Sequence, residues 1–192
     1  MQPDWMIRVK EDYFKSNFNM RSRELPEMLE EMDAHGVRRA VLLTNSSKRS
    51  KLAQAFVEAH PERFSLGLGG HNLLKPMPTL KALESLVASN PVAYITVGPS
   101  FWGDTAIRLM IKYGNLRLMT SAWAPKRLPE SLLHFMRTRG QDRIIFASDS
   151  PVLSITRTVT EASALELPPE VLDNYLYGNA ESFFFSRPGA TG

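Results

Sequence analysis

The sequence predicts an α/β protein built mainly from parallel strands. Short apolar runs alternate along the chain with segments of helical period, the pattern of strands joined by crossover helices. Some strand-like runs, Ala40-Val41-Leu42-Leu43 among them, are continuously apolar, as expected of strands buried on both faces. The last of them, in Arg143-Ile-Ile-Phe-Ala-Ser-Asp149-Ser-Pro151, stops abruptly at polar turn residues.

Taken in order, residues 1–21 show no clean period and read as an irregular N-terminal arm whose Trp5, Tyr13, Phe14 and Phe18 would dock onto the body or a second subunit. Leu25, Met28, Leu29 and Met32 recur at helical spacing, with Ser22 as the candidate cap and Gly36 as the stop. Arg38 to Leu43 reads as a strand. Leu52, Ala55, Phe56 and Ala59 mark a helix closed before Pro61, and Phe64 to Leu68 reads as the next strand. Leu80, Leu83, Leu86 and Val87 give a helix, and Val92 to Val97 a strand. Ile107, Met110 and Ile111 share a helical face, for which Asp104 is a candidate cap. Leu116 to Met119 follows as a strand, and a helix then opens at Pro129 and ends at Gly140. Beyond Asp149 the period is weak over 153–166, and Pro168-Pro169 opens a final helix through Leu172, Tyr175 and Leu176. No composition break divides the chain, so one domain over 1–192 is expected, with a frayed tail over 186–192.

Composition narrows the function classes. The 23 cationic and 20 anionic side chains nearly balance, and no basic stripe is interleaved with aromatics, so no nucleic-acid partner is expected. The lack of cysteine removes disulfides and thiolate metal sites. No apolar run approaches the roughly 20 residues of a membrane span, and no secretion signal opens the chain. No membrane partner is therefore expected, and the expected compartment is the cytoplasm.

The chemistry-bearing candidates lie where strands end. Asp149 falls at the carboxyl end of its strand, where α/β folds place reacting groups; Asp before Ser-Pro is also ordinary turn chemistry. Ser121, Trp123 and Lys126 follow the strand Leu116 to Met119 and would share that rim, either as pocket contacts or as a polar loop whose Trp123 covers the end of the sheet. His71, after Gly69-Gly70, reads as a loop histidine or a ligand facing the same rim. His35 and His60 sit at helix ends, and His134 lies on a helix surface. No phosphate-binding glycine fingerprint and no nucleophile elbow is present.

Ser148-Asp149-Ser150-Pro151 resembles the Ser-Asp-x-Pro signature that ends the last barrel strand of the amidohydrolase-related family, which includes aminocarboxymuconate-semialdehyde decarboxylase-like enzymes. Met32 to Val41 resembles that family's first helix and second strand, Pro61 to Phe64 the entry to its third, and Asn115 to Ser121 its seventh. Gly178-Asn179-Ala180 with Phe183 resembles its closing helix. The resemblance implies a TIM-barrel-like (β/α) fold. A complete eight-stranded barrel takes about 250 residues, and the chain jumps from fourth-strand-like sequence to the helix before the seventh. A shortened or incomplete barrel is expected.

The resemblance further implies a metal-dependent hydrolase or decarboxylase acting on a small carboxylate or amide substrate. Asp149 would be the catalytic group, Asp149 and His71 the ligands of zinc or manganese, and Ser121, Trp123 and His71 substrate contacts. The family's His-x-His pair is missing from the chain. The alternative expectation is therefore an inactive, truncated relative serving as a binding or oligomerisation module. Sheet edges left by missing strands would favour a homodimer.

Overall fold

The computed structural model describes residues 22–45, 50–69, 93–96, 103–121, 123–150 and 152–185. Among them are five strands, β1 (Ala40–Asn45), β2 (Phe64–Gly69), β3 (Ala93–Thr96), β4 (Leu116–Met119) and β5 (Ile144–Ile145). They form a parallel pair, β1-β2, and a parallel three-stranded sheet in the order β3-β4-β5. The parallel α/β architecture expected from the sequence is thus present, without a closed barrel among the described residues. The N-terminal arm, the helix expected over residues 80–87, His71 and the tail lie outside the described residues. No helix among those described is long and apolar enough to cross a membrane.

The chain divides into two compact units, Met1–Ser22 with Asn90–Ala180 and Arg23–Ser89 with Glu181–Gly192. In the second of these, α1 (Leu25–Ala34) leads into β1, and α2 (Lys51–Ala59) connects β1 to β2. Helix α1 is capped by Glu24, whose N–H bonds Glu27 Oε2 at 3.2 Å, so its start lies two residues beyond the expected Ser22 cap. Pro26 favours that start, since its ring and missing N–H are tolerated in a first turn. Met32, Ala53, Phe56 and Phe64 are buried, and the Phe56 and Phe64 rings lie 5.8 Å apart. Ser50 caps α2 by accepting from the Ala53 N–H. The ends of both helices fall at His35 and His60, as the spacing predicted.

The other unit carries the rim of interest. Here α3 (Gly103–Lys112) precedes β4, and α4 (Glu130–Arg137) connects β4 to β5. Helix α5 (Ile155–Ser163) and α6 (Pro169–Asp173) follow β5. Buried Ala106 and Met110 of α3 and Leu132, Phe135 and Met136 of α4 accompany buried Leu116, Leu118, Met119, Ile144 and Ile145 in the core. β4, central between β3 and β5, buries Leu116, Leu118 and Met119 as expected of an interior parallel strand, while Arg117 bonds Gly114 O and Asp142 Oδ2.

Three local expectations are corrected. Helix α3 already includes Gly103, so Asp104 sits in its first turn and not at its cap. Ile111 is 49% exposed, because Gly103, Ala106 and Met110 take the inward stripe. The strand read from Arg143 onward pairs only at Ile144 and Ile145, since the chain beyond them turns toward Asp149.

The final helix explains how β5 ends the sheet. After α6 the helix winds on with i→i+5 bonding over Asn174–Gly178, so that the Asn179 N–H reaches Asn174 O and not Tyr175 O. The Tyr175 carbonyl accepts instead from the Phe146 N–H, at 3.1 Å. One turn on, Asn179 Nδ2 donates to Ile144 O and Gln141 O, each at 2.8 Å. These groups lie on the side of β5 facing away from β4, whose ladder uses Arg143 O and Ile145 O. A wide helical turn therefore satisfies an edge that a further strand would otherwise pair. At this edge a sheet-completing second copy would find the Ile144 carbonyl and Phe146 N–H already bonded.

Candidate functional site

The site is built by the carboxyl ends of β4 and β5. β4 runs directly into Thr120 and Ser121, both buried. A turn closed by the Trp123 N–H on Thr120 O, at 3.3 Å, returns the half-buried Trp123 to the end of the strand. Thr120 Oγ1 shares a buried 2.8 Å hydrogen bond with the Tyr175 hydroxyl from the final helix. Burial pushes the Tyr175 phenol well above its ordinary range against the opposing bond to Thr120, so the group acts as a neutral brace. The Phe146 ring meets the Tyr175 ring edge-on at 5.8 Å.

Asp149 follows β5 in a left-handed conformation, with φ +57°. Its short polar side chain makes Asp one of the residues that tolerates this region, at a cost on the order of 1 kcal/mol. The turn is held by the Val152 N–H on Asp149 O at 2.9 Å and by the Ser150 N–H on Ser148 Oγ at 3.3 Å. These bonds aim Asp149 at β4, and Ser121 Oγ donates to its Oδ1 at 2.9 Å. Oδ2 has no partner among the described residues and is not one of the enclosed, unpaired oxygens. Burial raises the Asp149 carboxyl above the ordinary aspartate range, and the Ser121 bond works in the opposite direction. A half-buried carboxyl with one oxygen anchored and the other unbonded among the described residues is equipped to accept or donate a proton.

The expected site residues thus separate. Asp149 and Ser121 are brought into direct contact, and Trp123 stands on the same turn as Ser121. His71 lies outside the described residues. Lys126, read as part of the same rim, instead bonds Glu161 Oε1 at 3.2 Å beside Arg157 at 2.9 Å, tying the β4 loop to α5. Burial opposes the Glu161 charge, but the two cations hold its carboxyl below the usual range. Tyr175 and Asn179 were visible in the sequence only as helix residues, because their roles depend on contacts with residues far away along the chain.

A metal centre requires about three or more convergent donors. Among the described residues no group of three His, Cys, Asp or Glu can hold an ion. Asp149 has a serine, not a second ligand, at Oδ1, and His71, its expected co-ligand, lies outside the described residues.

A cavity of about 400 Å³ lies in the other unit, lined by Asp33, Val37, Arg38, Arg39, Glu62 and Arg63. It sits where β1 and β2 begin, the face that parallel α/β folds use for stability. Its arginines serve the fold. Arg63 bonds Asp33 at 2.6 Å and Arg38 O at 2.7 Å, and Arg39 bonds Glu62 O at 3.1 Å and Glu181 at 2.6 Å.

Comparison with known proteins bears on the same rim. The family model described as Amidohydrolase matches residues 92–185, which include Ser121, Asp149, Tyr175 and Asn179. An uncharacterized TIM-barrel protein from Bordetella bronchiseptica superposes with a TM-score of 0.67 at 16% identity, over 83% of this chain and 82% of that one. That likeness shows the fold alone: a TIM-barrel-type α/β arrangement. No curated protein matches the chain.

Proposed function

We propose that the chain is an amidohydrolase-related protein that carries out hydrolase-type chemistry on a small carboxylate or amide substrate, with Asp149 as its proton-transfer group. One observation carries the reading: the carboxyl end of β5 presents Asp149 half-buried and anchored through Oδ1 by Ser121, with no bond to Oδ2 from the described residues. The amidohydrolase match over residues 92–185 supports the reaction class. As a base, Oδ2 would take a proton from an attacking water; as an acid, it would return that proton to the leaving group. Such a group contributes about 10²–10⁴-fold.

A second reading, an inactive relative that binds without turnover, rests on the missing His-x-His pair. Zinc or manganese held by Asp149 and His71 belongs to the first reading as a separate element, and no step above depends on it.

One experiment separates the readings. Metal-supplemented and chelated protein is screened against small amides, esters and carboxylates, wild type beside Asp149→Asn, with elemental analysis of wild type and Asp149→Ala. Turnover that falls about 10²–10⁴-fold in the Asn variant supports the acid–base assignment. Turnover untouched by the change refutes it, and no turnover by wild type leaves the binding module. Stoichiometric metal lost in the Ala variant would place Asp149 among its ligands.

A further inference from the structure

The sequence pointed to Ser121 as a substrate contact, yet its side chain is 6% exposed and its hydroxyl proton is directed at Asp149. We propose that Ser121 is a positioning residue: its Oγ–H fixes Oδ1 of Asp149 and leaves Oδ2 as the single oxygen that meets a hydrogen-bond donor, either water or a substrate N–H. The proposal rests on the reading of Asp149 as the proton-transfer group and deepens it.

The geometry supports this in three ways. The 2.9 Å bond crosses from the end of β4 to the end of β5, so it joins two strands already held in register by Leu118–Ile144 and Met119–Ile145. Ser121 itself is placed by the neighbouring Thr120, braced by Tyr175 at 2.8 Å. The left-handed backbone of Asp149 gives its carboxyl a defined exit direction, and a second anchor at Oδ1 then sets the plane of the group. No ionised side chain among the described residues bears on Asp149; its environment is burial and this one hydroxyl. The hydroxyl also favours the ionised form, which is the form a base requires.

The test reads Asp149 directly, by carboxyl ¹³C titration in the full chain, with the signal assigned by its loss in Asp149→Asn. Ser121→Ala is expected to move the Asp149 midpoint upward, and Ser121→Thr, which keeps the hydroxyl, to hold it near wild type. Should the Ala variant not fold, Ser121→Cys, with its weaker donor, reads an upward shift in the same sense. An unmoved midpoint in the Ala or Cys variant overturns the proposal. The titration needs no substrate, so absence of turnover would sink the hydrolase reading while leaving this result intact. If turnover is found, a positioning residue moves the acidic limb of the rate profile, whereas a substrate contact raises KM and leaves that limb in place.

Discussion

Replacing Asn179 with alanine tests the account of how β5 ends the sheet. Asn179 is 7% exposed, and its amide donates to Ile144 O and Gln141 O at 2.8 Å each. The Ile144 bond is buried, so its carbonyl would lose its partner with no water to replace it, costing about 1–3 kcal/mol. Gln141 is exposed and its carbonyl can regain water, so that bond adds about 0.5–1.5 kcal/mol. The expected loss is about 1.5–4.5 kcal/mol, a large share of the roughly 5–15 kcal/mol that keeps a domain folded. Urea unfolding followed by tryptophan fluorescence measures it, and hydrogen exchange at the Phe146 N–H reports whether the Tyr175 carbonyl has let go of the strand. A loss below about 0.5 kcal/mol, with Phe146 still protected, would show that the final helix does not seal this edge.

Two further substitutions follow from the same unit. Because burial raises the Asp149 carboxyl, the folded state holds this proton more tightly than the unfolded chain does. Its favourable contribution is therefore present at low pH and lost as pH rises from the ordinary value of 3.8 through the raised one. Urea midpoints of wild type relative to Asp149→Asn should fall across that window, and a relative rise would refute the assignment. Gly140→Ala would place its Cβ on the ring of Phe135, which is 5% exposed and packed in the core. Overpacking there is expected to cost about 1–3 kcal/mol, and an unchanged melting temperature would count against it.

Much of the architecture was legible because it follows from local pattern. The β4 limits, Leu116 to Met119, appear as read, since Leu116, Leu118 and Met119 form a short, mostly apolar segment bounded by Gly114-Asn115 and Thr120-Ser121. Helix α4 opens just after Pro129, its extended cap, and the final helix opens at Pro168-Pro169, where Pro169 pre-sets the first helical φ. Asp149 stands out in the sequence by its position at a strand end before turn residues and by the Ser-Asp-x-Pro resemblance those residues carry. Where local signals competed, the reading slipped: Glu24 and not Ser22 caps α1, and Ile111 turns outward.

What local pattern could not carry was the pairing of groups distant in sequence. Nothing in the residues around Ser121 says that its hydroxyl is spent on Asp149, 28 positions on. Nor does the apolar and amide pattern of the last helix say that Tyr175 O and Asn179 Nδ2 will stand in for a strand beside β5. Periodicity specifies which face of an element is buried. Which polar atom meets which follows only when β4, β5 and the helix are packed, because a buried N–H or carbonyl takes whatever partner the finished fold brings within reach.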